Sequence, residues 1–217
     1  MVGSLHAIVF FGFLCFALET TDHFAEAFGI HVLDFLLGGA LPLFKSTLAV
    51  IAVLVMIGVV GLAIRRFLMP SISPDPKSWT SGLVALMIFA LMLSYLYSID
   101  ESAPGQKLNW WFHALLILGF VPLILHSKHF HILMGPVNVF LRTLRLGDHL
   151  PLDLEAIGES EEEVSLGLEQ LADAPRKMRL DFITCVECRR CTDQCPAANS
   201  GQELTPREFI LAGRASM

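Results

Sequence analysis

The chain has 217 residues, of which 54% are hydrophobic and only 17% are charged. A mean hydropathy of +0.60 is too high for an ordinary soluble domain of this length. The net charge is −6, and 14 of the 21 acidic residues fall after position 130, whereas the long apolar runs precede it. The sequence has no basic tract of the kind that binds nucleic acid. It also has no phosphate-binding loop and no nucleophile–base signature of a hydrolase. The composition therefore predicts a membrane part followed by a water-exposed part.

Four apolar runs, at about residues 2–18, 48–64, 82–97 and 110–127, predict transmembrane helices. They are shorter than the roughly 20 residues that cross about 30 Å of hydrocarbon, so we expect flanking polar residues to extend them. Each run is apolar on every face, which is typical of membrane helices rather than amphipathic ones. The first run lacks the basic start and cleavage site of a signal peptide. We expect an all-α membrane protein, with a four-helix transmembrane bundle over residues 1–131.

Basic residues are concentrated in two of the segments outside these spans. They are Arg65, Arg66 and Lys77 between the second and third spans and Lys128, Arg142 and Arg145 after the fourth, against Lys45 and Lys107 in the other two connections. The positive-inside rule then places both termini in the cytoplasm. The prediction is a multi-pass protein of the cytoplasmic (inner) membrane, with the C-terminal part in a reducing compartment.

Four cysteines are packed into the stretch CVECRRCTDQCP at residues 185–196. They are Cys185, Cys188, Cys191 and Cys195, and with Pro196 they spell C-x2-C-x2-C-x3-C-P, the bacterial ferredoxin run. A reducing compartment disfavours disulfides. Zinc sites usually have two C-x2-C pairs separated by a longer loop, so this spacing favours a [4Fe–4S] cluster over zinc. The fifth cysteine, Cys15, lies within an apolar run and is interpreted as a small buried hydrophobe.

The fourth cysteine of the run, Cys195, can ligate either the same cluster as the other three or a second cluster. In two-cluster ferredoxins this cysteine ligates the other cluster, and no second run follows Cys195 here. Three alternatives remain: the natural polypeptide continues past Met217, a partner chain supplies the second run, or Cys195 closes its own cluster. We expect the first, since the sequence stops just after an amphipathic stretch at 206–213.

Histidines at the ends of the spans are candidate haem ligands, because ionisable groups in a membrane often mark function. His113 and His131 are 18 residues apart, which is five helical turns, so we expect them on one helix face, about 27 Å apart at opposite sides of the bilayer. His6 lies at the depth of His131, and His23 reaches the depth of His113 if the first span stays helical beyond Thr20. Two stacked haems, His6/His131 inside and His23/His113 outside, would fit. The alternative is that these histidines only anchor helix ends at the interface.

The remaining segments connect or extend these two sites. Residues 132–146 predict an interfacial amphipathic helix, and residues 147–181 an acidic tether, with an acidic docking strip for a basic partner as the alternative. Residues 182–217 then form a ferredoxin-like iron–sulfur segment that is expected to be incomplete.

The stretches SLHAIVFFGFLCF, GLAIRRFLMP and WWFHALLILGFVPLILHSKHFHILMGPVNVF resemble the cytochrome b module of the respiratory nitrate reductase gamma-subunit type. The following LGLEQLADAPRKMRLDFITCVECRRCTDQCPAANSGQELTPREFI is similar to heterodisulfide-reductase-like ferredoxin segments. The resemblance implies that His6 and His131 hold an inner haem b and that His113 is a ligand of an outer one. Phe16 stands where the nitrate-reductase type has the partner of His113, and Arg189 stands where such cysteine runs often have glycine.

This order of modules resembles that of membrane-bound iron–sulfur oxidoreductases that pass electrons from electron-transfer flavoprotein to menaquinone. Three functions follow as hypotheses. The first is electron transfer between a cytoplasmic donor, the cluster, haem b and the quinone pool. The second is the same module serving a cytoplasmic iron–sulfur/CCG-type subunit in a heterodisulfide-reductase-like or sulfite-reduction-linked complex. The third is a non-enzymatic membrane anchor for an iron–sulfur scaffold.

Overall fold

The computed structural model describes residues 2–69, 78–100, 102–142, 171 and 174–217. Over these residues the chain is helical with short connections and has no strand. Two compact units are distinguished, Met1–Leu123 and Ile124–Met217. Lys77, Arg145 and most of the predicted tether lie outside the described residues.

The first unit contains five α-helices. They are α1 (Val2–Glu26), α2 (Val32–Leu37), α3 (Leu41–Leu68), α4 (Trp79–Ser98) and α5 (Gln106–Leu125), whose last two residues pass into the second unit. Four segments of the described chain are long and apolar enough to cross a membrane, and they correspond to α1, α2–α3, α4 and α5. The prediction of an all-α chain with four membrane-spanning candidates is therefore confirmed for the described residues.

The helices are longer than the apolar runs that predicted them. Helix α1 has 25 residues and α3 has 28, because polar residues at their ends remain helical. The hydroxyl of Thr21, for example, donates to the carbonyl of Ala17 at 2.7 Å and so stays within the helix. Helix α1 is followed by a turn at Gly29, whose φ of +78° suits a residue without a Cβ. Helix α5, which corresponds to the fourth predicted span, ends at Leu125, two residues before the predicted end of that span.

Helices α1 and α3 approach closely at positions that have no side chain. A Cβ on Gly58 would lie 3.3 Å from the carbonyl oxygen of Leu5, and a Cβ on Gly12 would lie 2.3 Å from a methyl of Val55. Small residues at such crossings let membrane helices gain van der Waals contact that lipid cannot supply. Buried residues of α3 and α4 continue this core: Ala52, Val55, Val59, Leu91 and Met92. Large apolar side chains face outward instead, such as Phe11 (63% exposed) and Leu118 (66%), as in a lipid-facing surface.

The second unit is built from short helices. After a 3-10 turn at Lys128–Phe130 come α6 (His131–Phe140), α7 (Arg176–Ile183), α8 (Arg190–Asp193), α9 (Pro196–Asn199) and α10 (Pro206–Ala215). Asn138 on α6 joins α7 by donating from Nδ2 to the carboxylate of Asp181 at 2.9 Å. Helix α10 packs on α7 where Phe182, which is only 4% exposed, meets Phe209 edge-on with ring centres 6.2 Å apart.

Two predicted segment boundaries can be compared with these helices. Helix α6 covers residues 132–140 of the region predicted as an interfacial helix, and positions 143–146 lie outside the described residues. Helix α7 begins at Arg176, so it includes the last six positions assigned to the tether. The apolar residues Leu180, Phe182 and Ile183 give this segment a packing face that a solvated tether would lack.

Candidate functional site

The cysteine run begins in an irregular segment between α7 and α8, which contains Cys185 and Cys188. Cys191 lies in α8, and Cys195 directly precedes α9. Cys185 and Cys195 are half-buried, while Cys188 and Cys191 are exposed. Among the described residues, no three His, Cys, Asp or Glu side chains converge into a group able to hold a metal ion. The structure therefore does not gather the four cysteine side chains, and what it defines is the backbone between them.

That backbone alternates in handedness on both sides of Cys188. Glu187 has a φ of +60° and Arg189 a φ of +61°, and they are the two positive-φ residues other than glycine among those described. Each costs on the order of 1 kcal/mol relative to a right-handed conformation. Alternation of left- and right-handed residues turns successive N–H groups toward one concave side, an arrangement that is found around anions and iron–sulfur clusters. The conformation also explains why a glycine suits the position of Arg189.

The amide groups of this loop are available for a ligand. None of the six backbone N–H groups from Val186 to Cys191 donates a hydrogen bond to another backbone carbonyl of the described chain. Iron–sulfur clusters carry negative charge on their sulfurs, and hydrogen bonds to those sulfurs help to set their potential. Four thiols, a left-handed backbone and open N–H donors together fit a [4Fe–4S] cluster in their donor chemistry.

Helix α10 reaches across to this loop through two arginines. Nη2 of Arg214 donates to Oε1 of Glu187 at 2.5 Å, and Nη1 donates to the carbonyl of Cys185 at 3.2 Å. Nη2 of Arg207 lies 4.0 Å from Oε2 of the same carboxylate. Burial by itself raises the pKa of Glu187, but the hydrogen bond from Arg214 and the nearby positive charges outweigh it, so this pKa lies below its ordinary value.

These supporting residues are absent from the sequence prediction. The amphipathic pattern of 206–213 indicated a helix, but it could not show which part of the chain Arg207 and Arg214 would contact. The one signal available was Glu187 itself, an acidic residue inside a cysteine run that must hold a negatively charged cluster. A carboxylate at that position requires a cationic partner, which the fold supplies from 27 residues away.

A polar network joins α4 and α5 inside the first unit. The hydroxyl of Ser94, a residue that is 3% exposed, donates to Oδ1 of Asn109 at 2.7 Å, and Nδ2 of Asn109 donates back to the Ser94 carbonyl at 3.0 Å. Nδ1 of His113 lies 3.2 Å from the Ser94 hydroxyl oxygen. Because the single hydroxyl proton is already donated to Asn109, this contact requires a proton on Nδ1. The lone pair of His113 is therefore on Nε2, which is the form in which a histidine binds a metal.

His131 is held in the same tautomer by a simpler contact. Its Nδ1 lies 2.8 Å from the carbonyl of Lys128, which can only accept, so Nδ1 carries the proton and Nε2 the lone pair. The neighbouring His129 contacts the hydroxyl of Ser127 at 3.1 Å, a group that both donates and accepts. The same hydroxyl also lies 3.4 Å from the carbonyl of Ile124, so the proton position on His129 is less directly defined than that on His131. Of these two histidines, His131 has the better defined geometry for a haem ligand.

The other two histidine candidates have less suitable surroundings. Helix α1 remains helical through His23, as the outer pairing required. However, the two ring nitrogens of His23 lie near carboxylates, Nε2 at 3.7 Å from Glu19 and Nδ1 at 3.5 Å from Glu26. His6 is exposed near the start of α1. It belongs to the first unit and His131 to the second, so their pairing stays a prediction.

The expectation that His113 and His131 share one face of a continuous helix is wrong. Helix α5 ends at Leu125, and Ser127 adopts an extended conformation with φ −131° and ψ 170°. The Ser127 side chain then accepts a hydrogen bond from the N–H of His129, which caps the next turn. The five-turn separation deduced from the sequence therefore does not apply.

Comparison with known proteins gives matches to oxidoreductases of greater length. The chain is 27% identical over 239 residues to the probable iron-sulfur-binding oxidoreductase FadF of Bacillus subtilis, covering 96% of this chain and 33% of that protein. It is 26% identical over 257 residues to the EtfAB:quinone oxidoreductase of Syntrophomonas wolfei, covering 97% and 34%. The chain thus spans about a third of the length of these two relatives.

A shorter match concerns a different kind of protein. Over 66 residues, 30% of this chain and 10% of the other, the identity is 35% with the probable membrane-anchored ferredoxin of Chromohalobacter salexigens. No protein-family model matches the chain, and no solved structure matches it.

Proposed function

We propose that this chain is the membrane-embedded, iron–sulfur part of a quinone-linked oxidoreductase. It would pass electrons between a cytoplasmic donor, a [4Fe–4S] cluster, haem b and the menaquinone pool. The observation that carries the proposal is the cysteine loop, with its left-handed backbone and its open N–H donors, in a chain that has four membrane-length helices. The names of the two long relatives, one iron–sulfur-binding and one an EtfAB:quinone oxidoreductase, support it.

In this proposal Cys185, Cys188 and Cys191 hold three irons of the cluster. The cluster supplies one-electron transfer, and the chain supplies its thiolates, the N–H donors and the positive charge of α10. Cys195 ligates either the same cluster or a second one whose other cysteines lie on another segment or on a partner chain.

Haem b is the second proposed cofactor, with His6 and His131 as ligands of a site near the cytoplasmic side. The fixed tautomers of His131 and His113 support their roles as ligands, since each leaves Nε2 free to bind iron. An outer haem between His113 and His23 is less well supported, because His23 lies between two carboxylates. The haem would supply a second one-electron carrier within the membrane.

The location of the chain completes the proposal. Both termini and the cysteine loop would be cytoplasmic, and α6 would be an interfacial helix along the membrane surface. Exposed apolar residues of α6, such as Val139 and Phe140, suit an interface. Electron-transfer flavoprotein is the proposed donor, on the strength of the resemblance and of the name of one relative.

Metal and sulfide content of the purified, full-length chain tests the proposal. Cys188→Ser should abolish the electron paramagnetic resonance signal of the dithionite-reduced cluster. Cys15→Ser in α1 is the matched control and should retain it, because Cys15 lies outside the loop. Stoichiometric zinc without acid-labile sulfide in the wild type would contradict an iron–sulfur function. A reduced haem b band separates an electron carrier from a simple anchor, and reduction by flavoprotein rather than by a thiol donor identifies the partner.

A further inference from the structure

The side chain of Arg214 makes two hydrogen bonds between the last helix and the loop that carries the cysteines. The guanidinium of Arg214 uses two different nitrogens, one for the carbonyl of Cys185 and one for the carboxylate of Glu187. A planar guanidinium with fixed N–H directions can hold two acceptors in a defined relation to each other. It therefore links the first cysteine of the run to the first of the two left-handed residues.

A second arginine reinforces the same carboxylate. Arg207 and Arg214 are seven residues apart, or about two helical turns, so both project from one face of α10. Glu187 lies between them, with Arg214 at 2.5 Å and Arg207 at 4.0 Å. The three side chains are 15–30% exposed, so water screens this group less than it screens a fully exposed ion pair.

Helix α10 is itself held in place, so the two arginines approach from a fixed base. A Cβ on Gly213 would lie 2.9 Å from the ring of Phe182 on α7, so this position fits closely only as glycine. At the other end of the helix, the N–H of Arg207 donates to the hydroxyl of Thr192 at 3.2 Å. Hydrogen bonds from a preorganised helix lose little conformational entropy when they form.

We propose that Glu187 and Arg214 are positioning residues that hold the cysteine loop in its cluster-binding conformation and set the local charge at the cluster. This inference rests on the proposed iron–sulfur function for its redox part. Arg214 offsets the unfavourable left-handed conformation of Glu187 and holds the Cys185 carbonyl against α10. The N–H groups on the concave side of the loop then remain free for sulfur.

If Glu187 and Arg214 act through their charges, they should affect the reduction potential in a way that a purely structural role would not. Reduction adds an electron to the cluster, so a nearby positive charge favours the reduced form and a nearby negative charge favours the oxidised form. Removal of the Arg214 charge should lower the reduction potential. Removal of the Glu187 charge should raise it. Loss of structure alone would move both variants in the same direction.

The first test is hydrogen exchange of the full-length chain, purified in detergent and stripped of metal. In Arg214→Gln the hydrogen-bonded amides at the two ends of the loop, those of Cys185, Thr192 and Asp193, should exchange on the order of tenfold faster than in the wild type. Arg176→Gln, at the exposed start of α7, removes the same charge away from the loop and should leave their exchange unchanged. Glu187→Gln keeps an acceptor for Arg214 and should show a smaller increase. Equal protection in Arg214→Gln and Arg176→Gln would overturn the positioning role, whether or not the wild type binds iron.

The second test is a redox titration of the cluster-loaded protein, followed by its electron paramagnetic resonance signal. Arg214→Gln should titrate at a lower potential and Glu187→Gln at a higher one, each by more than Arg176→Gln. Arg214→Lys should restore the potential but not the exchange protection, because an ammonium group cannot hold both acceptors. Shifts of the same sign in the Gln variants would overturn the electrostatic part. A wild type that binds no iron would count against the proposed function, and the exchange result would still decide the positioning role.

Discussion

The polar groups of the membrane helices and those of the cysteine loop are satisfied in opposite ways. Ser94, Asn109 and His113 satisfy one another across two adjacent helices and leave one ring nitrogen open. In the loop, most backbone N–H groups are left open. The carbonyl of Cys185 and the carboxylate of Glu187 are instead held by Arg214 of α10, which lies 27–29 residues further along the chain. A closed network orients a single ligand atom, whereas an open loop offers many donors and depends on a remote helix for its shape.

The largest effect is expected at His131, whose ring is oriented by a single contact to the carbonyl of Lys128 and not by the network of Ser94, Asn109 and His113. His131→Ala should remove one haem from the purified protein and its reduced b-type band, because Nε2 of His131 is the proposed ligand atom. His129→Ala is the matched control and should keep full haem content, because His131 and not its neighbour is the proposed ligand. The measurement is haem per chain by pyridine haemochrome. Full haem in His131→Ala with loss in His129→Ala would reverse the assignment.

An intermediate effect is expected in the loop at Arg189, whose left-handed conformation can be tested without removing the charge pair at Glu187. Arg189→Val should destabilise the loop by about 1–2 kcal/mol, because a β-branched residue is strongly disfavoured at φ +61°. Arg189→Gly should be neutral or slightly stabilising in the folded chain. Iron loss to a ferrous chelator compares the two variants, and we expect it to be faster for Val. Equal rates would show that the cluster-bound loop does not retain the left-handed conformation.

The smallest effect is expected in the closed network. Ser94→Ala removes the acceptor for His113 and the donor to Asn109, and should cost about 0.5–1 kcal/mol of stability, the range typical of hydrogen bonds between membrane helices. Ser98→Ala on the same helix removes only an exposed contact to the carbonyl of Tyr95 and serves as the control. Thermal unfolding in detergent measures the difference. If the two variants unfold at the same temperature, the network contributes orientation but no stability.

The membrane helices could be predicted from the sequence because hydropathy is a local property of each segment. Their ends were less predictable, since Thr21 bonds back to its own helix, while Ser127 caps a new turn, and composition alone does not separate these outcomes. The break at Ser127 removed the basis for the depth argument at His131.

For the cysteine loop, spacing predicted the ligands but not what supports them. A C-x2-C-x2-C pattern reports residues that must approach the same cluster, so it is visible along the chain. The contact between Glu187 and Arg214 depends on how α10 packs on α7, which no local pattern encodes. Only the unusual residue at position 189 signalled the backbone conformation in advance, through the glycine that similar runs have there.

The absence of a side chain at Gly213 has a mechanical consequence for the loop. Gly213 touches the ring of Phe182, and the next residue in the chain, Arg214, holds the carbonyl of Cys185. The contact that sets the distance between α7 and α10 and the contact that grips the loop are thus one residue apart. A displacement of α10 would therefore move the packing contact and the guanidinium that holds the Cys185 carbonyl together. A larger side chain at position 213 would push α10 away from α7 and so act on the backbone of the cysteine loop, although it touches no cysteine.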